Sequence, residues 1–115
     1  MRLEIRRKGV RIAASMRQYL TGHVSSALDR FVQGIRRVTI QLADHNGPRG
    51  GVDKHCLIAV QLAGGRVIRA GHSDTRLLAA VALATDRVAY AVGRALERRR
   101  KRGVRARHRE SEPGA

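Results

Sequence analysis

Acidic residues are scarce in this sequence: nine Asp plus Glu stand against 24 Lys plus Arg, a formal charge of +15 over 115 residues. Tryptophan is absent, Tyr19, Phe31 and Tyr90 are the whole aromatic complement, and Cys56 is the lone cysteine. Each shortage excludes something. One cysteine cannot close an internal disulfide, which fits a reducing compartment, and a cytoplasmic location is expected. Apolar runs last only a few residues, so neither a bilayer span nor a signal peptide is expected. The length suits one small domain and excludes a multidomain enzyme. Few aromatics argue against nucleic-acid binding by base stacking. Tyr19 and Phe31 fall in an apolar helical stripe, which leaves Tyr90 as the one ring expected to be free.

What the sequence has in abundance is arginine, 21 residues against three lysines. Residues 94–115 carry nine cations and three acids, while residues 1–93 carry fifteen cations and six acids. The folded part is therefore basic in its own right. A basic domain with a basic end is expected to bind a polyanion, through phosphates and overall shape.

Residues 2–6 alternate polar and apolar, as a half-buried strand does. Met16, Tyr19, Leu20, Val24, Ala27, Leu28, Phe31, Val32 and Ile35 recur at steps of three and four, which predicts an amphipathic helix over about 15–34 that stops at Gly34. Val38, Ile40 and Leu42 share one face of a second strand. Residues 44–54 read as an exposed loop. Residues 55–62 and 66–70 form a hairpin around Gly64-Gly65, read as a two-residue turn. Ser73 or Asp74 is expected to cap a second helix carrying Leu77, Val81, Ala84, Val88 and Ala95. The order is β-α-β-β-β-α, a two-layer α+β domain with both helices on one face of a four-stranded sheet. Residues 1–102 form the domain, and 103–115 a disordered basic tail.

The outward helix faces then become the candidate binding surface. Arg76, Arg87, Arg94, Arg98 and Lys101 fall on one side of the second helix, with only Asp86 and Glu97 interspersed. On the first helix Arg17 and Arg30 lie off the apolar stripe. These seven are the candidate RNA-binding residues. Catalysis, metal and cofactor are not expected. His55 and Cys56 are adjacent, so on a strand they point to opposite faces. Asp44, His45, Asp53, His72 and Asp74 show no metal-ligand spacing, and no phosphate-binding glycine loop precedes a helix.

Leu3-Glu4-Ile5, Val10-Arg11-Ile12, Met16-Arg17-Gln18-Tyr19, the Gly64-Gly65 hairpin, Ala79-Ala80-Val81, Leu83-Ala84 and Asp86-Arg87-Val88 together resemble the ribosome hibernation-promoting factors, or ribosome-associated inhibitors. The resemblance spans about residues 1–100. It implies a βαβββα fold that binds small-subunit rRNA in the channel used by mRNA and tRNA, silencing ribosomes by occupancy. The family's basic positions fall on Arg17, Arg87, Arg94 and Arg98. Ala13 stands where the family has a capping Thr, and Arg76-Leu77-Leu78 where it has an acid-containing helix start. Long members carry a second, dimer-forming domain, which this chain is expected to lack. Neither a membrane nor a small-molecule substrate is implied. The competing reading is a generic binder of structured RNA or double-stranded nucleic acid, whose domain has a broadly similar layout.

Overall fold

The alternating residues at the start of the chain form β1, Arg2–Lys8, in a computed structural model that describes residues 1–44 and 53–111. There follow α1 (Ala14–Leu28), a 3₁₀ segment (Asp29–Gly34), β2 (Ile35–Asp44), β3 (Lys54–Leu62), β4 (Val67–Asp74) and α2 (Leu77–Ser111). The strands lie in the order β1-β2-β3-β4, β1 parallel to β2 and the other pairs antiparallel. A parallel pair needs a crossover connection, and α1 supplies it. The α+β architecture, β-α-β-β-β-α with a four-stranded sheet, is as expected.

Strand alternation decides which sheet face is covered. Val38, Ile40 and Leu42 on β2 and Cys56, Ile58, Val60 and Leu62 on β3 are buried, and Leu20, Val24 and Leu28 of α1 join them in one core. Ala80, Val81, Ala84, Val88, Val92 and Ala95 bring α2 into the same core, against β3 and β4. Small residues on α2 let that helix lie close to the sheet.

Several boundaries differ from expectation. The first helix ends at Leu28, and residues 29–34 tighten into the 3₁₀ segment. The hairpin loop has three residues: Leu62 N–H donates to the Arg66 carbonyl (2.8 Å) and Gly65 N–H to the Leu62 carbonyl (3.0 Å). Gly64 and Gly65 both have φ +100, a region open to glycine, so Gly-Gly permits the turn but does not make it a two-residue one. Asp74, rather than Ser73, receives the N–H of Arg76 (3.1 Å), while Ser73 Oγ shares a 2.7 Å hydrogen bond with His55 Nδ1. The backbone of α2 stays helical through Gly103 to Ser111, nine residues past the boundary set at 102 for an irregular tail. One glycine costs a helix only about 1 kcal/mol, and the next proline is Pro113. Residues 45–52, read as an exposed loop, and 112–115 of the expected tail lie outside the described residues.

Candidate nucleic-acid interface

A helix turns about 100° per residue, so Arg87, Arg94, Arg98 and Lys101 fall within an arc of roughly 60° on α2, and Arg76 immediately precedes the helix. All five are exposed. Arg87 fixes the position of this row: its Nη1 donates to the Gly71 carbonyl (3.1 Å), so the row runs along the β4 side of α2. Arg94 Nη1 donates to the Tyr90 hydroxyl (3.1 Å), and its guanidinium lies 5.8 Å from the Tyr90 ring centre. That pairing holds a long side chain in place without neutralising it. Lys101 makes an exposed i,i+4 pair with Glu97 (3.3 Å), which is worth little in water.

The first helix contributes differently. Arg17 lies on α1 and Arg30 on the 3₁₀ segment that follows it, so different elements carry the two. Arg30 lies 4.7 Å over the Phe31 ring and lines a groove between the helices with Asp29, Asp86 and Tyr90. Two carboxylates in that groove divide Arg30 from the α2 row. Four of the seven candidates, Arg87, Arg94, Arg98 and Lys101, thus share one side of α2, Arg76 precedes its first turn, and Arg17 and Arg30 lie on other elements.

Tyr19 corrects the reading of the aromatics. It is 58% exposed, beside 66% for Tyr90, and it stacks on His23 with ring centres 6.0 Å apart. The buried stripe of α1 is narrow, Leu20, Val24 and Leu28 at steps of four, and Tyr19 stands 100° round from Leu20. Two rings are therefore exposed at the surface instead of one. The N-terminus of α1 also lacks a side-chain cap, as Ala13 implies.

Other cations escaped the sequence reading. On the sheet face away from the helices, Arg2 pairs in register with Arg37, and exposed Arg6 and Arg69 lie on the same face. Polar residues alternating along β1 and β2 signal this surface. Arg66, Arg99 and Arg102 meet at the hairpin end of α2; only folding brings residue 66 to residues 99 and 102. Lys54 belongs to neither surface. Its ammonium donates to Asp44 (2.7 Å) and to the buried Asp53 (3.3 Å), and the bond to Asp44 raises its pKa. Cys56 lies in the core, His55 faces the other side of the sheet, and among the described residues no three ligating side chains come together.

The family model described as Sigma 54 modulation protein / S30EA ribosomal protein matches residues 3–100. This chain belongs to that family. The S30EA proteins are ribosome-associated factors and not a known enzyme family, in line with the resemblance read from the sequence. Among solved structures, the N-terminal domain of Thermus thermophilus Protein Y aligns with a TM-score of 0.66 and 23% identity, covering 82% of this chain and 98% of that one. A ribosomal subunit interface protein from Coxiella burnetii aligns with a TM-score of 0.67 and 17% identity, over 84% of this chain and 99% of that one. At such identities these two establish the fold of this S30EA member. No curated protein sequence matches it.

Proposed function

We propose that this protein inhibits translation by occupancy: it binds small-subunit rRNA in the channel that mRNA and tRNA use, in the cytoplasm and without chemistry. The observation that carries this reading is the row Arg87, Arg94, Arg98 and Lys101 on the β4 side of α2, with Arg76 just before the helix; among the described residues, Lys101 alone of these five lies within ion-pair distance of an acid. Such a row follows a phosphate backbone, and binding through it releases condensed counterions. Family membership supplies the ribosome as partner, and the charge of +15 supplies attraction to any RNA surface.

Sedimentation with small subunits across a salt series tests it. The full chain is expected to travel with the subunits at low salt and to leave them as salt rises. Arg94→Gln with Arg98→Gln should flatten the slope of log K against log salt by about two, since each lost phosphate contact removes about 0.9. A protein that stays at the top of the gradient while binding isolated duplex RNA well would be a generic structured-RNA binder. An unchanged slope would make the α2 row an ordinary solvated surface.

A further inference from the structure

We infer that the cleft between the β3–β4 hairpin and α2 is a phosphate-binding site, distinct from the α2 row. The inference rests on the ribosome reading for its RNA source but not for its chemistry. Arg66, at the foot of β4, meets Arg99 and Arg102, one turn apart on α2, around a cleft of about 270 Å³. Leu62, Gly64 and Ala95 form its apolar part, and no carboxylate lines it among the described residues.

Arg66, Arg99 and Arg102 are exposed, and three like charges around one small cleft repel one another. An oxyanion placed among them turns that repulsion into attraction. The arrangement is also partly preformed. Arg99 Nη1 donates to the Ala63 carbonyl, and its guanidinium lies against Gly64, where a Cβ would stand 3.3 Å from Nη2. A guanidinium already held in place loses little freedom on binding, and its planar fork suits phosphate oxygens. The cleft is open and lined by three guanidinium groups, which suits a phosphate group lying on it better than a buried nucleoside. Position supports the same chemistry. Around α2, the sequence Lys101, Arg94, Arg98, Arg102, Arg99 advances in steps of roughly 20–60°, so the row continues round the helix into the cleft. A phosphate chain lying on the row would have its next anion delivered there.

The phosphate could belong to RNA or to a free phosphorylated molecule, and two arms separate them. In the first, inorganic pyrophosphate is titrated into the full chain while the side-chain Nε–H signals of Arg99 and Arg102 are followed by NMR. Both should move, and Arg66→Gln with Arg102→Gln should abolish the Arg99 shift. Unmoved signals in the unsubstituted protein overturn the site. In the second, the same double variant is bound to small subunits across the salt series, where a slope flatter by one to about two identifies RNA as the source. Pyrophosphate shifts with an unchanged slope keep the site but assign it to a free phosphorylated molecule. If the unsubstituted chain binds no subunits, the ribosome reading fails by itself, and the pyrophosphate arm alone decides the cleft.

Discussion

Cys56 shows how far one residue's chemistry is set by its surroundings. Register places it on β3 opposite His72, and strand alternation turns its side chain into the core, where none of it is exposed. Burial disfavours the thiolate and pushes the thiol up to about 12 from its ordinary 9.0. A sulfur held protonated is a poor nucleophile and a poor metal ligand. Two outcomes follow. Iodoacetamide at pH 8 should leave the folded protein unlabelled and modify Cys56 once urea unfolds it. Because the folded pKa is the higher one, the unfolded chain gives up this proton first. The stability linked to Cys56 is therefore complete below pH 9 and declines as pH rises toward about 12. Urea midpoints at pH 8 and pH 10.5 measure the decline for the parent chain. Cys56→Ala removes this contribution to it, and rapid labelling of the native state would contradict the burial. The same alternation that makes Cys56 a core residue was visible in the sequence as Cys56, Ile58, Val60 and Leu62. Tyr19 was not so visible, because one helical position, 100°, separates an edge residue from the buried Leu20, and apolar spacing alone does not say how wide the stripe is.

At the scale of elements, the strands and α2 were legible because their periods of two and 3.6 are sustained over several buried residues. The 3₁₀ segment was not, since its cause lies in a distant helix. Residues three apart eclipse in a 3₁₀ turn, so Phe31 and Gly34 line up. They meet Gly93 and Leu96, which are also three apart, on α2. The 3₁₀ pitch brings one pair onto the other, a match between residues some sixty positions apart that no local pattern announces. Gly34 approaches the end of the partly exposed Leu96 side chain: a Cβ would come 2.9 Å from Leu96 Cδ2, so that side chain would have to shift. Gly34→Ala is expected to push Leu96 to another rotamer and to destabilise the fold by about 1 kcal/mol or less, read as a slightly lower urea midpoint at constant m-value. Leu96→Ala should remove the obstruction, so the double variant should be less destabilised than the sum of the two single ones. Strict additivity would show that the segment and α2 do not press on each other. The hairpin cleft escaped the sequence for a related reason. Arg99 falls toward the apolar side of the helical wheel, and only the three-residue loop, with its carbonyl at Ala63, gives that side chain a destination.

For the molecule as a whole, the long helix sets the shape. A compact chain of this length has a radius of gyration near 13 Å, whereas this one has 17.7 Å and a longest extent of 69 Å. At 1.5 Å per residue, α2 alone is about 50 Å long. Among its described side chains the last buried one is Ala95, and Gly103 still lines a cleft with Gln33 and Gly34 of the 3₁₀ segment. Residues 104–115 add three arginines and two glutamates, a net charge of only +1. A chain ending at Gly103 therefore keeps every described core residue, the α2 row and the hairpin arginines. Its thermal midpoint should match that of the full chain, and its radius of gyration by small-angle scattering should fall toward about 13 Å. Small-subunit binding should persist with most of its salt dependence, because almost all of the surplus charge remains on the part that folds. A truncated chain that unfolds at a lower temperature would place part of the core's support beyond Gly103. One that folds normally but no longer sediments with ribosomes would make the end of the chain, and not the faces of the domain, the principal RNA contact.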